Sequence, residues 1–168
     1  ELSAFSDLGA YRIVARNLIA DGVPPEGVRI AEMTASGFRI ARVPPLLGRP
    51  LLESDEAPRA PPVAVIGHSE WQRRFAGDSG IIGRTMQLGA TRHVIVGVMP
   101  DGFAFPINHQ IWTPLQLDPV DFERGEAPAI EVFGRLAPTA TLEEAATQLS
   151  TIARRLGSAY PDTHATLQ

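Results

Sequence analysis

The sequence predicts a mixed fold of α and β elements in which short strands outnumber the helices. Two segments support this prediction. Residues 62–100 follow the order strand, helix, hairpin, and an amphipathic helix begins at Thr141. The fifteen prolines and fifteen glycines among the 168 residues favour short elements joined by turns. We therefore expect one domain, or two small lobes, with enough chain to bury a core.

The N-terminal third contains weaker signals. Residues 5–11 are expected to form a weak amphipathic turn, and residues 11–20 either a strand or the end of a helix. Apolar and polar side chains alternate over residues 28–35, which indicates a strand. Residues 37–41 are expected to form a helical turn. The prolines at 44–45 would end it, because a residue before proline is disfavoured in helical geometry.

The central block begins with the apolar, β-branched run at residues 63–66, which is typical of a buried strand. Ser69 follows, three residues before a glutamine, which is the spacing of a capping box. Trp71 and Phe75 lie four residues apart and therefore point from one side of the predicted helix. We expect both to pack between this helix and the sheet, with Trp71 largely buried. A glycine-alanine turn at 89–90 then joins two strands into a hairpin.

Three further elements are predicted between this block and the C-terminal helix. The loop at residues 100–106 carries Phe103 and Phe105, which we expect to fold back onto the core. Residues 111–115 are interpreted as an edge strand, because Pro114 lacks the amide that an interior strand needs. Residues 130–136 form another predicted strand.

The C-terminal helix is the clearest element in the sequence. Thr141 and Glu144 have capping-box spacing, and Gly157 suits the position just after the last turn. The apolar residues form one stripe, which we expect to pack on a sheet: Leu142, Ala145, Ala146, Leu149, Ile152, Ala153 and Leu156.

Composition excludes several kinds of partner and site. Hydrophobic residues make up 44% of the chain and charged residues 20%, so disorder is not expected. The net charge is −4 and the arginines are scattered, which argues against a nucleic-acid partner. The absence of cysteine excludes disulfides and thiolate metal sites. No apolar run approaches the roughly 20 residues of a membrane span, and no leader pattern opens the chain.

Ser69 is the one candidate nucleophile with a suggestive context. It follows a predicted strand and opens a predicted helix, as in the nucleophile elbow of serine hydrolases. That pattern requires a second glycine where Trp71 stands, because only glycine permits the close approach of helix and strand. Helix capping is therefore the favoured role of Ser69.

The other polar residues form no recognisable catalytic or metal-binding pattern. The histidines share no metal-ligand spacing and are interpreted as scattered surface residues: His68, His93, His109 and His164. A glycosidase pair could be present among acidic residues interpreted as solvated parts of exposed, proline-rich segments: Asp55, Glu56, Asp118, Asp121 and Glu123. The Gly-Arg pairs at 48–49 and 83–84 are too sparse for a phosphate-binding loop. We therefore predict no catalytic residue, no metal ligand and no cofactor site.

A series of short motifs runs through the chain, at residues 33–38, 45–49, 63–68, 71–78, 82–85, 96–103, 112–115, 134–138, 154–156 and 160–163. In this order, and over nearly the whole chain, they resemble the periplasmic core domain of MacB-type (FtsX-like) ABC transporter permeases. The similarity is greatest to the permeases that lack a fused ATPase.

The resemblance implies an α+β fold with two lobes in a single core domain, residues 1–168. One lobe would be an α/β sandwich built from both chain ends, about residues 1–45 plus 125–168. The other would be a mostly-β inserted lobe, about residues 46–124, with one short helix.

The resemblance also implies a non-catalytic, extracytoplasmic role. In such permeases this domain lies outside the cytoplasmic membrane and couples ATP-driven membrane motion to substrate export or partner contact. The implied partners are a cytoplasmic ATPase subunit, reached through membrane segments, and a periplasmic adaptor or a second permease copy. Those membrane segments flank the family's domain, so the chain is expected to be an excised soluble portion. A further strand is expected just beyond residues 160–162, and without it the lobe built from both chain ends would expose an unpaired backbone edge.

Two other classes remain open. A free-standing extracytoplasmic ligand-binding module would need a concave apolar pocket. A secreted hydrolase, which is less favoured, would need a reactive serine or a carboxylate pair.

Overall fold

Strands are the most numerous elements of the structure. The computed structural model describes residues 2–20, 23–117, 120, 122 and 128–161. Within these residues the elements are, in chain order, β1 (Phe5–Ala20), β2 (Val23–Met33), α1 (Ser36–Ala41), β3 (Leu47–Gly48), β4 (Val63–Ile66), α2 (His68–Phe75), β5 (Thr85–Leu88), β6 (Thr91–Val98), β7 (Ile111–Pro114), β8 (Glu131–Leu136) and α3 (Leu142–Ala159). Short 3₁₀ helices cover Glu53–Glu56 and Ser79–Ile81.

Six of these strands pair in a closed circuit. β1 is antiparallel to β2 between Tyr11 and Ala20, and it also pairs with β5 at Leu18 and Ile19. β2 pairs with β7, β7 with β4, β4 with β6, and β6 with β5. The order of paired strands thus returns to β1, and we call these six strands the strand ring. β3 pairs with β6, and β8 pairs with the first part of β1.

Apolar residues form one core on each face of the ring strands. The inner core takes residues from all six ring strands and therefore fills the interior of the ring: Leu18, Ile30, Ala64, Ile66, Met86, Leu88, Ile95, Val98 and Ile111, together with Ile81. The outer core lies on the opposite face: Tyr11, Ala31, Met33, Ala35, Phe38, Leu51, Val63, Val65, Met99, Phe103 and Trp112. Successive residues of β4 alternate between the two cores, so both faces of this strand are buried, as its continuous apolar run predicts.

Several predicted elements are confirmed. The mixed α+β class is correct, and the strands of the two expected lobes belong to one hydrogen-bonded sheet, because β2 pairs with β7 and β1 with β5. The predicted turn at 37–41 is α1, and the hairpin at 89–90 joins β5 to β6. Phe103 is buried against Phe38, and Phe105 packs on Phe133 with ring centroids 5.0 Å apart.

Trp112, and not Trp71, is the fully buried tryptophan. Trp112 is 0% exposed, donates from its indole to the carbonyl oxygen of Phe105, and meets Phe103 edge to face at 5.2 Å. Trp71 and Phe75 do pack between α2 and the inner core, as predicted, but both are only partly buried. The reason is that α2 directly follows β4 and lies at one end of the ring, where its outer side faces solvent.

The prediction that β7 is an edge strand is wrong. β7 lies between β2 and β4, and all four of its residues are buried. Its pairing with β4 involves Ile111 and Trp112, and Pro114 is the last residue of the strand. The amide that Pro114 lacks would fall where this pairing has ended, and the next amide, of Leu115, donates to the Met33 carbonyl. Proline is therefore tolerated in a central strand here.

The predicted cap of α2 is also wrong. The helix begins at His68, with Gly67 as its N-cap residue in an extended conformation. Ser69 lies inside the first turn, where its exposed side chain makes no hydrogen bond with any described residue. Gly67 is packed closely against Gln110, because a Cβ there would lie 2.2 Å from the end of the Gln110 side chain, and the Gly67 amide donates to the Gln110 carbonyl oxygen. The helix therefore begins one residue before the serine that its sequence pattern favours.

The N-terminal segment and the C-terminal helix differ from expectation in their packing. Residues 5–11 are strand and not a turn, because they pair with β8. The Thr141–Glu144 capping box of α3 is confirmed. The apolar stripe of α3 is not buried as predicted: Ala145 is the buried member, whereas Leu142 is 76% exposed. The helix lies outside the strand ring, where Gln148 accepts a hydrogen bond from the Ala4 amide.

The first prediction compares the two tryptophans. Trp112→Ala should lower the free energy of unfolding by about 3–5 kcal/mol, because it empties a fully enclosed site. Trp71→Ala should cost only about 1–2 kcal/mol, since part of its ring is already solvated. Urea unfolding of both variants measures the difference, and an equal or larger loss at Trp71 would contradict this assignment of the core.

The second prediction concerns the join between β1 and β8. The buried Tyr11 hydroxyl donates to Glu131, and this hydrogen bond, together with burial, raises the pKa of Tyr11 to about 12. Below pH 10 both folded and unfolded chains hold the tyrosine proton, so the bond contributes fully. Between pH 10 and 12 only the unfolded chain loses that proton, so stability falls as pH rises.

Tyr11→Phe removes this contribution. The variant should be less stable than the native chain at pH 9, and the gap should close as the pH approaches 12. Denaturant midpoints taken across this range provide the measurement. Parallel curves for the two proteins would exclude the proposed proton linkage.

Candidate functional site

Most residues that the sequence singled out for chemistry have structural roles. Arg49 forms a two-bond ion pair with buried Asp55, which also accepts from the Leu52 amide. Burial alone would raise the pKa of Asp55, but these hydrogen bonds lower it below its usual value. Glu56 accepts from the Ala35 amide at 2.7 Å, at the start of α1. Asp55 and Glu56 therefore hold loops in place, and the prediction that Asp55 is solvated is wrong.

The other predicted acidic residues, Asp118, Asp121 and Glu123, lie outside the described residues, as does His164. The remaining histidines are on separate elements. His68 is 3.8 Å from the Asp101 carboxylate, and His93 lies on β6. His109 is only 6% exposed, so the prediction of a surface histidine is wrong there. In the described part of the chain, no three histidine or acidic side chains are grouped as metal ligands.

A polar cavity opens at one end of the strand ring. It has a volume of about 190 Å³. Its polar lining comes from Gln116, after β7, and from four ring strands: Arg12, Arg16, Glu32, Thr91, His93 and Thr113. Inner-core residues Ile30 and Leu88 also contact the cavity. We call this cavity the ring mouth. It lies beside Pro62, just before β4 begins, whereas α2 follows the other end of β4.

The polar residues of the ring mouth occupy inward-facing positions. Arg12 and Arg16 lie on the same face of β1 as Val14 and Leu18, because the four residues occupy every second position. Val14 and Leu18 pack in the inner core. Glu32 lies opposite Arg12 in the β1–β2 register. Because side chains alternate between the two faces of a strand, both face the interior of the ring. The interior is thus apolar through its middle and charged at this end.

The charges of the ring mouth are partly neutralised. The Glu32 carboxylate accepts from Arg12 Nε at 2.5 Å and from Arg16 Nη2 at 3.3 Å. The Glu32 side chain is 13% exposed, so the pairs are partly shielded from water. Burial lowers the pKa of His93 below its usual value, which keeps its ring neutral at pH 7. Two guanidinium groups and one carboxylate leave one net positive charge.

A second charged cluster fastens α2 to β2. Glu70 pairs with Arg73 and Arg74, each at 2.6 Å, and both arginines also pair with Glu26. The Arg74 side chain is only 2% exposed, so its charge is balanced almost entirely by these carboxylates. Hydrogen bonds from Arg73 and Arg74 lower the pKa of Glu26 below its usual value. This cluster joins the helix to the ring.

An open cleft of about 380 Å³ lies beside this cluster, between β2 and the segment before β7. His109 lines it, and the His109 Nε2 atom has no hydrogen-bond partner among the described residues. Burial, and then the nearby charge of Arg29, lower the pKa of His109 below its usual value. The cleft has apolar walls from Val28 and Ile111, but its charged groups are largely paired with one another.

These arrangements can bind charged groups but assemble no nucleophile with its base in the described part of the chain. Neither the ring mouth nor the His109 cleft was predicted from the sequence, because their side chains come from strands far apart along the chain. One signal was available. Arg12 and Arg16 stand at the same alternate positions of residues 11–20 as Val14 and Leu18, and charged residues at core-facing positions often mark a functional site.

A family model described as the MacB-like periplasmic core domain matches residues 5–152. The fold is similar to the periplasmic region of MacB from Actinobacillus actinomycetemcomitans, with a TM-score of 0.70 and 16% identity, covering 96% of this chain and 71% of that one. It is also similar to the extracellular domain of the noncanonic ABC-type transporter YknZ from Gram-positive bacteria, with a TM-score of 0.68 and 12% identity, covering 97% and 80%. At these identities the likeness shows the fold alone.

No curated protein matches the chain. Among the described residues, none of the helices combines the length and the apolar character needed to cross a bilayer.

The third prediction tests the cluster that holds α2. Glu70→Gln should lower the free energy of unfolding by about 3 kcal/mol, because it leaves the buried Arg74 guanidinium short of a charged partner. Asp101→Asn is the matched control, since its carboxylate is 83% exposed and should contribute less than about 0.5 kcal/mol. Urea unfolding of both variants decides the point. Similar losses of unfolding free energy for the two variants would mean that the cluster does not hold α2 against β2.

Proposed function

The chain belongs to the MacB-like periplasmic core domain family, and from this membership we propose that it couples ATP-driven motion of an ABC transporter permease to an extracytoplasmic event. That event is substrate export or contact with a partner protein. The domain is the periplasmic, non-catalytic part of such a permease, and motion reaches it from the membrane segments that flank it.

The continuity of β1 is the observation that carries this proposal. β1 is 16 residues long, which corresponds to about 50 Å of extended chain. It pairs with β8 over its first part, from Phe5 to Tyr11, and reaches β5 at Leu18 and Ile19. Pairing along its length stiffens the strand, because bending it strains the ladder hydrogen bonds to its neighbours. A displacement at one end is therefore passed to the other.

We propose that the two lobes are the bodies between which β1 transmits motion. The first is about residues 1–45 plus 125–168, and the second about residues 46–124. Several connections join the described parts of these lobes, among them the β1–β5 pairing, the β2–β7 pairing, and the ion pairs from Arg73 and Arg74 to Glu26. These connections favour movement of the domain as a stiff relay and not as two loosely tethered halves.

The partners proposed for this relay are a cytoplasmic ATPase subunit and a periplasmic adaptor or second permease copy. The ATPase would act through the membrane segments. Exposed apolar side chains on β8 and α3 support a protein contact on that side, because Val132 is 63% and Leu149 47% exposed. The alternative, a free-standing ligand-binding module, is favoured by the cavity at the ring mouth. That module would need no link to ATP hydrolysis.

The fourth prediction tests coupling in the intact permease, reconstituted with its ATPase in lipid vesicles. One label is attached at Ala90→Cys, in the β5–β6 turn, and one on a membrane segment. We expect ATP to change the distance between the labels, measured by electron spin resonance. The absence of cysteine in this chain makes the first label specific once cysteines elsewhere are replaced.

Gly9→Pro should abolish this distance change while ATP hydrolysis continues. The Ala10 amide donates to Thr34, so the Gly9 amide faces β8, and proline removes it from the β1–β8 ladder. Met86→Ala is the control: it destabilises the inner core but leaves the backbone pairing of β1 intact. If both variants lose the distance change, the loss results from lower stability of the domain and not from the interrupted β1–β8 pairing. If Gly9→Pro keeps it, β1 is not the relay.

A further inference from the structure

The ring mouth contains hydrogen-bond donors that the protein itself does not use. Among the described residues, the Arg12 side chain makes one hydrogen bond, which its Nε atom donates to the Glu32 carboxylate. The terminal Nη1 and Nη2 atoms make no hydrogen bond with described residues, although Arg12 lines the cavity. Arg12 Nε is already held by the carboxylate, so the guanidinium plane is oriented. Two parallel N–H donors in this geometry match both oxygens of a carboxylate.

Thr113 supplies a second, independent sign of a ligand. The residue is only 4% exposed and lines the same cavity from β7. Its hydroxyl forms no hydrogen bond within the described part of the chain. The hydroxyl is not among the buried unpaired atoms of the described residues, so it is accessible from the cavity, where a ligand can replace the water that otherwise pairs with it. Glu32 lies opposite Arg12 on β1 and opposite Thr113 on β7, so both donors border the same part of the cavity, where one acceptor can meet them.

Charge and size restrict what this acceptor can be. The lining carries one net positive charge, from Arg12 and Arg16 against Glu32, which matches a monoanion and disfavours a cation. A volume of about 190 Å³ admits a carboxylate with only a few carbon atoms. Ile30 and Leu88 give the cavity an apolar side, against which a short hydrocarbon tail would pack.

We propose that the ring mouth is a binding site for a small monocarboxylate with a short apolar tail. Arg12 binds the two carboxylate oxygens, Thr113 donates to one of them, and the tail contacts Ile30 and Leu88. The donors sit on strands whose pairing fixes their spacing, so the site is formed before the ligand arrives. This proposal does not depend on the coupling function, because it concerns binding to the domain alone.

Propionate is the probe, and propionamide is its neutral counterpart. The 168-residue chain, labelled with ¹⁵N, is titrated with each at pH 7, with sodium chloride keeping the ionic strength constant. We expect saturable amide shifts at Thr91 and Thr113 with propionate and none with propionamide. Arg12→Gln should weaken binding about tenfold or more, because it removes a charge-assisted pair of hydrogen bonds. Arg12→Lys keeps the positive charge but loses the two parallel N–H donors, so its affinity for propionate should lie between those of the native chain and Arg12→Gln.

Two further variants keep the test decisive if Arg12→Gln does not fold. Thr113→Val preserves the shape of the side chain and should weaken propionate binding several-fold by removing one donor. Arg92→Gln removes an equal charge from an exposed position outside the cavity, so its affinity should match that of the native chain. Equal binding of propionamide, equal weakening by Arg92→Gln, or an absence of saturable shifts in the native chain would each overturn the proposal.

Discussion

The pairing of β1 with three other strands is the constraint on which the rest of the structure depends. β1 closes the strand ring by joining β2 to β5, and it continues beyond the ring to pair with β8. Closure makes the register of every ring strand mutually dependent, since a slip of one residue would exchange the inner and outer faces. Leu18 would then turn outward and Arg12 would leave the ring mouth. Both cores and the polar cavity therefore follow from one set of pairings.

Close backbone packing makes this arrangement stiff. A Cβ at Gly97 of β6 would lie 2.1 Å from the Arg49 carbonyl oxygen, so the segment after β3 runs directly against that strand. Two hydrogen bonds from the Arg49 guanidinium group to the Asp55 carboxylate then hold the segment in place. Several charged groups of the described residues join elements in this way. The ring mouth differs, because Arg12 keeps donors that face a cavity, and this contrast distinguishes a candidate binding site from structural ion pairs.

The sequence predicted local elements well wherever neighbouring residues alone decide the outcome. The Thr141–Glu144 capping box and the turn between β5 and β6 involve contacts within a few residues, which spacing reveals. Predictions failed where distant chain segments compete. The Gly67 amide donates to the Gln110 carbonyl oxygen, and α2 begins from Gly67 and not from Ser69. Asp55 was expected in solvent, but it is buried and forms an ion pair with Arg49.

The sequence by itself determined the mixed fold class, the apolar character of residues 63–66 and the family resemblance, because these depend on composition, periodicity and motif order. Only the tertiary structure decided which tryptophan is buried, that β7 is central, and that the stripe of α3 stays largely exposed. It alone brought Arg12, Glu32 and Thr113 to one cavity. The physical reason is that ring closure joins strands that are far apart in the chain, and no periodicity along a single strand specifies its neighbours.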